Sequence, residues 1–304
     1  MGPAGLVDRI DHVVVAVRDV ATAGPGMARL LGCAPSWEGL QPADGTANVL
    51  FRLANTTLEL LGPAGDGPVA DALRERFEAA GEGLFSIDFG THDLEAVRAS
   101  LKTAGIETPE PADALSHDDP SGAWRRFRVV EVPAQANRGV RARIVEDTSP
   151  EEIVPAAQPL HDDGSCVGRL DHVVVMTRAP EHALAFYGDA LGLRLALDKT
   201  FEKRGVRLIF FRAGGLTLEI GASLEQAPNA SRDLDTGAAG AEDDVLWGLA
   251  HQVEDADAAR ARIEGAGLGV SSVRDGHKPG TRVFTVKDAP FGIPTLFIEP
   301  VKQP

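Results

Sequence analysis

The chain has 304 residues, 43% of them hydrophobic and 25% charged, a length that suits two compact domains better than one. Thirty basic against 45 acidic residues give a net charge of −15, which repels a phosphate backbone and argues against nucleic acid as a partner; no apolar run is long enough to span a membrane. The start, Met1 to Asp8, lacks the basic and apolar regions of a secretion signal, so a cytoplasmic location is expected, and Cys33 and Cys166 are too few for a disulfide framework or a thiolate zinc site and receive no role.

In chain order, Arg9-Ile10-Asp11-His12-Val13-Val14-Val15 begins a β-branched strand predicted over residues 11–17. A helix near 22–31 follows, then strands at 49–53 and 57–61. Leu94, Val97, Leu101 and Ala104 recur at helical spacing before Gly105, and strands are expected at 127–132 and 141–145. Residues 148–166 contain Pro150, Pro155, Pro159 and the run His161-Asp162-Asp163-Gly164-Ser165, which has neither structural period and reads as a linker. Arg169-Leu170-Asp171-His172-Val173-Val174-Val175 then repeats the opening at an offset of 160, identical at six of seven positions. The same offset maps Thr57-Leu58-Glu59 onto Thr217-Leu218-Glu219 and Phe51-Arg52 onto Phe211-Arg212. Strands at 171–176, 207–211, 217–220, 281–286 and 295–299, with helices at 180–191 and 256–266, complete the second copy. The chain is therefore expected to be α+β, with one module over 1–147, a linker over 148–166 and a second module over 167–304, each a βαβββ unit used twice.

Asp-His-Val-Val-Val at the head of a strand, Ala185-Phe186-Tyr187-Gly188-Asp189-Ala190-Leu191-Gly192-Leu193 on the next helix, the Thr-Leu-Glu pair and Phe291-Gly292-Ile293-Pro294-Thr295-Leu296-Phe297-Ile298-Glu299 resemble the vicinal-oxygen-chelate superfamily of glyoxalase, bleomycin-resistance and extradiol-dioxygenase-like proteins. The resemblance covers nearly all of the chain outside the linker and loops. It implies tandem modules in which paired βαβββ units form a curved, mainly antiparallel open cup, with metal ligands on the first and last strands of each unit. Carried over, the ligand positions are His12, Glu59, Ser86 and Glu146 in module one and His172, Glu219, Gly248 and Glu299 in module two. Ser86 and Gly248 depart from the pattern, which has histidine there. His251 lies three residues beyond Gly248, an odd offset that puts it on the opposite strand face unless a bulge re-aims it. The resemblance thus implies a metal site of His172, Glu219 and Glu299 in module two and a degenerate one in module one. One imidazole and two carboxylates suit Mn, Fe, Zn, Mg or Ni with waters completing the shell; they also read as scaffold residues of a metal-free pocket.

Trp247, Phe210 and Phe211 are scarce aromatics that fall near the second cup or in its core, and His277, Lys278 and Arg282 lie in or beside a loop that would hold an anionic substrate or simply be solvated. Two functions follow. One is an enzyme of the isomerase, epimerase or lyase class on a small oxygenated molecule, with a divalent metal polarising it and Glu219 or Glu299 moving a proton. The other is a metal-free protein that sequesters a small molecule. A ring-cleaving dioxygenase is a third reading, against which Gly248 argues, because its iron needs two histidines and a carboxylate. The oligomeric state is left open, since the tandem arrangement already pairs the modules.

Overall fold

The computed structural model describes residues 6–224 and 243–300. The ends assigned to the two modules, 1–5 and 301–304, lie outside the described residues. The α+β architecture is the one expected from the repeat. In each copy the opening strand runs parallel to the last strand of its own unit and antiparallel to the opening strand of the other unit. The first copy orders its strands Arg9–Ala16, Thr57–Pro63, Thr46–Arg52, Trp37–Gln41, Ala112–Asp118, Trp124–Val132, Arg141–Asp147, Gly83–Gly90. The second orders them Arg194–Phe201, Val206–Ala213, Leu216–Ser223, Arg169–Thr177, Val245–Gln252, Thr295–Glu299, Arg282–Val286, Arg274–Asp275.

The two sheets differ at their edges. The second is an open sheet, as the cup requires, whereas the first closes into a barrel where Gly39 pairs with Asp118 and Leu40 with His117. Strand length explains the difference: Ala112–Asp118 is seven residues long, and its counterpart Arg274–Asp275 is two, too short to reach the other edge. Closure also depends on Gly39, where a Cβ would lie 1.7 Å from the His117 carbonyl oxygen. A helix not foreseen from the sequence, Pro68–Ala80, covers one end of the barrel by packing Leu73 and Phe77 on Val14, Ala16, Leu61 and Phe85. Its signals were legible: proline in the first turn, then apolar residues at 70, 73 and 77.

The helices expected near 22–31, 93–104 and 256–266 are Val20–Leu31, Leu94–Thr103 and Ala256–Gly265; the one expected at 180–191 starts as Pro180–Ala183 and widens into a π-helix over Leu184–Ala190. Outward-facing Ile10, Val13, Val15, Leu170, Val173 and Val175 belong to one apolar core that runs through both copies. Tyr187 is at its centre, its ring 6.2 Å from Phe89 and 6.0 Å from Phe211. Asn55 joins the copies by accepting from Leu170 N at 3.1 Å and donating to Leu170 O at 2.8 Å. Segment 148–166 is not featureless: Val154 is buried with Trp37 and Leu50, and Gln158–Pro159 pairs with Cys33–Ala34. No helix among the described residues is long and apolar enough to cross a membrane.

Candidate functional site

The site begins with an irregularity of the opening strands. Ile10 lies opposite Phe89 and His12 opposite Asp88, and likewise Leu170 lies opposite His251 and His172 opposite Ala250, so each Asp-His pair occupies one bulge. The bulge switches parity: Leu170 and Val173 both enter the core, and the Asp and His side chains turn together toward the inner face. Asp11 Oδ2 lies 2.7 Å from His12 Nδ1 and Asp171 Oδ1 2.9 Å from His172 Nδ1. In both modules the aspartate holds Nδ1 and aims Nε2 at the cup.

In module one the charged groups at the centre of the barrel are bonded to other side chains. His12 Nε2 faces Arg125 Nη1 at 3.1 Å, and the same guanidinium pairs with Asp11 at 3.2 Å and Asp147 at 2.7 Å. Glu59 accepts from Asn48 at 2.8 Å and Gln41 at 3.3 Å, while Arg143 binds Asp88 through Nε at 3.0 Å. Burial alone would raise the Asp11 carboxyl, but His12, Arg125 and Arg9 outweigh it and hold it well below the usual carboxylate range. Burial would lower Arg125, yet Asp11 and Asp147 raise it. The remaining cavity is about 10 Å3, room for about one water.

Module two brings His172 and Glu219 together, Nε2 to Oε2 3.6 Å, on an open face. Burial raises the Glu219 carboxyl against the opposing charges of His172 and Arg204. Burial pushes the His172 imidazole down, but the Asp171 hydrogen bond and the Glu219 and Asp171 charges exceed it, so the net shift is upward. Arg212, exposed and bonded to Thr217 Oγ1, acts electrostatically on His172 and Asp171, and Lys278 acts on Asp171.

The expected third and fourth positions do not join them. Glu299 accepts from Ala256 N at 3.0 Å and from Arg282 at 3.2 Å, so it caps the N-terminus of the Ala256–Gly265 helix on the face away from the cup. Glu146 does the same for Leu94–Thr103, accepting from Leu94 N at 3.2 Å and from Arg128 at 2.9 Å. Strand alternation is the reason: Glu299 shares a face with Phe297, which is in the core, and Glu146 is out of step with inward-facing Arg143 and Val145. Gly248 is closed to any side chain, because a Cβ there would lie 2.8 Å from the Pro294 carbonyl oxygen. Ser86 is buried beside Asp88 at 3.4 Å.

Two of the four expected substrate contacts, His251 and Arg282, do not face the cup. His251 faces the core, its ring tilted against Phe297 with centroids 5.3 Å apart, and burial pushes it down to about 3 and so keeps it neutral. Arg282 is tied to Asp257 and Glu299 on the helix side. Phe211 is core, and His277 is exposed in its loop. Trp247 is half-buried at the second irregularity of its strand pair, where Gly248 faces Val174 and Leu246 faces Val175.

Among the described residues no group of three or more His, Cys, Asp or Glu is placed to hold a metal. The donor set itself says why: two donors meet, the third position cannot carry a side chain, the fourth is spent on a helix cap, and Arg204 and Arg212 add positive charge. The described residues do not form a donor set that fits a resident divalent ion. Sequence reasoning missed Arg125, Arg143 and Asp88; the available signal was charge at inward positions of β-segments, as in Ile87-Asp88-Phe89.

Comparison with known proteins gives two family matches, a glyoxalase-like domain over residues 10–165 and the glyoxalase/bleomycin resistance protein/dioxygenase superfamily over residues 169–295. An ethylmalonyl-CoA/methylmalonyl-CoA epimerase of Cereibacter sphaeroides is 34% identical over 101 residues, 33% of this chain and 73% of the epimerase. Among solved structures, a triple mutant of 4-hydroxymandelate synthase from Streptomyces coelicolor superposes with TM-score 0.66 at 18% identity, over 96% of this chain and 92% of that one. A Mn(II)-bound glyoxalase from Novosphingobium aromaticivorans superposes with TM-score 0.59 at 16% identity, over 97% and 82%. At these identities the structural likeness speaks to fold alone.

Proposed function

The chain belongs to the vicinal-oxygen-chelate superfamily, with a glyoxalase-like domain in each half, and from that premise we propose that module two is an acid–base enzyme moving a proton at the carbon beside a carbonyl of a small oxygenated acid. The observation that carries this reading is the His172–Glu219 pair, 3.6 Å apart on an open face, where the equivalent pair in module one is bonded to Arg125, Asn48 and Gln41. Glu219 takes the proton from carbon, its raised carboxyl better matched to a weak carbon acid than an exposed one. His172, oriented by Asp171, donates from Nε2 to the developing enolate oxygen, and Arg212 and Lys278 attract a substrate carboxylate. Because both groups stand on one side of the cup, the geometry favours transfer across a single face of the enolate, an isomerisation, over two-sided epimerisation. Similarity to an epimerase supports the carbon-acid class. No step is routed through a metal, since the donors do not fit one.

The test is solvent-deuterium exchange by proton NMR on a panel of small 2-hydroxy and 2-oxo acids. Exchange by the wild type, reduced about 100-fold or more in Glu219→Gln, is expected, with metal content well below one per chain and unchanged in His172→Ala. Stoichiometric metal lost on His172→Ala would overturn the metal-free mechanism. Binding of a panel member without exchange, equal in wild type and Glu219→Gln, would replace the enzyme with the sequestering reading.

A further inference from the structure

The two cysteines, 133 residues apart in the chain, meet where the first helix of module one ends. Each thiol reaches the backbone beside the other: Cys33 Sγ donates to Val167 O at 3.4 Å and Cys166 Sγ to Gly32 O at 3.0 Å. The strands of chain around them are paired as well, Val167 N to Leu31 O at 2.8 Å and Leu160 N to Gly32 O at 2.8 Å. Val167 follows Cys166 and Gly32 precedes Cys33, so each Sγ lies against the carbonyl next to the other cysteine and the two side chains share one junction. Arg262 of the Ala256–Gly265 helix completes the junction, donating to Leu30 O at 3.0 Å, Ser165 O at 3.1 Å and Arg29 O, with its charge felt by both sulfurs. Module one, segment 148–166 and module two thus converge on one pair of free thiols that the proposed chemistry does not use.

We propose that Cys33 and Cys166 form an oxidation site, converted by a hydroperoxide into a disulfide that staples the chain just after the first helix of module one to the last residue of segment 148–166, where module two begins. Cys166, half-buried, is the thiol a small oxidant reaches; Cys33 is buried, and burial together with the neighbouring Cys166 pushes its thiol up to about 11, a poor first nucleophile. The Cys166 thiolate attacks one oxygen of hydrogen peroxide, the O–O bond breaks, and the departing hydroxide takes a proton to leave water and a sulfenic acid. The Cys33 sulfur then attacks the Cys166 sulfur, the S–O bond breaks, and the second hydroxide leaves as water with the Cys33 proton. Two thiols lose two electrons and one peroxide becomes two waters.

The test treats the full-length chain with stoichiometric hydrogen peroxide and reads intact mass, denatured thiol count and peptide maps. The expected result is a mass loss of about 2 Da, a thiol count falling from two to none, one peptide pair joining Cys33 to Cys166, and reversal by dithiothreitol. Thermal unfolding should shift upward by about 5 °C. Cys33→Ser should instead leave Cys166 as sulfenic acid trappable by dimedone. Two intact thiols after treatment, sulfinic acid without a cross-link, or a disulfide between two chains would each overturn the proposal.

Discussion

On their outer faces the two modules are nearly interchangeable. Glu146 and Glu299 cap equivalent helices, and Arg128 and Arg282 each join that glutamate to a first-turn acid, Glu95 and Asp257. On their inner faces they have diverged. The Asp-His bulge and the Glu on the neighbouring parallel strand recur in both, but the residues facing them do not. Module one places Arg125 against His12 Nε2, so a permanent cation holds the position where a metal or a substrate would meet that nitrogen. Among the described residues of module two no guanidinium bonds to His172 Nε2, which faces Glu219 instead, and the shorter edge strand leaves the sheet open. The opening-strand motif decides where the imidazole and carboxylate stand, and the later strands decide whether they retain capacity for chemistry.

The largest expected effect tests whether Arg125 is a structural cation. Truncating it leaves buried Asp11 and half-buried Asp147 with one cation fewer, and breaking a buried network of this kind costs about 3–5 kcal/mol. Arg125→Ala should lower the urea midpoint accordingly. Glu219→Gln, which removes a carboxylate that burial already disfavours, should leave the midpoint unchanged or raise it. A loss under about 1 kcal/mol for Arg125→Ala would mean that the barrel tolerates an emptied interior, and the contrast between the modules would fail.

A second prediction sharpens the comparison through pH. The folded His172 imidazole titrates above its ordinary 6.5, so its stabilisation is complete below that value and is lost as pH rises through the folded pKa. Glu219, raised above 4.5, slopes the same way from that pH upward. Asp11 is depressed below 3.8, so its contribution is present above that pH and is lost only as pH falls through the depressed value. His172 and Glu219 should therefore soften module two as pH rises, and Asp11 should soften module one as pH falls. Histidine NMR should place His172 above an ordinary histidine and move it down in Glu219→Gln; an unchanged midpoint in that variant would mean the two groups do not interact.

The repeat made the fold and half of the site legible. Identical seven-residue openings and the Thr-Leu-Glu pair located His172 and Glu219 on strands that the topology brings side by side. The closed seam was not legible, because it depends on how far Ala112–Asp118 extends and on a glycine at position 39 that only its distant partner His117 explains. Glu299 was misplaced for a reason visible in hindsight: Thr295, Phe297 and Glu299 share one parity, and Phe297 belongs to the core, so the carboxylate had to leave on the helix side. What no pattern contained was the waiting helix N-terminus, whose unpaired Ala256 N–H gives the glutamate its partner.

The smallest effect follows from that cap and bears on the face the modules have in common. Glu299→Ala removes a charged acceptor from Ala256 N and should cost about 1 kcal/mol, and Glu146→Ala should cost a similar amount through Leu94 N. Glu299→Gln keeps an acceptor oxygen but loses the interaction of charge with the helix dipole, so it should cost less than the alanine change. None of these variants should alter the His172 titration or proton exchange, because the cap lies across the sheet from the Nε2–Oε2 pair. Helical signal and midpoint by circular dichroism, measured beside exchange on the same samples, separate the two roles. If Glu299→Gln abolished exchange with its helix and midpoint intact, the carboxylate would have to reach the cup during turnover, and the division into a shared outer scaffold and a divergent inner face would have to be redrawn around a moving Thr295–Glu299 strand.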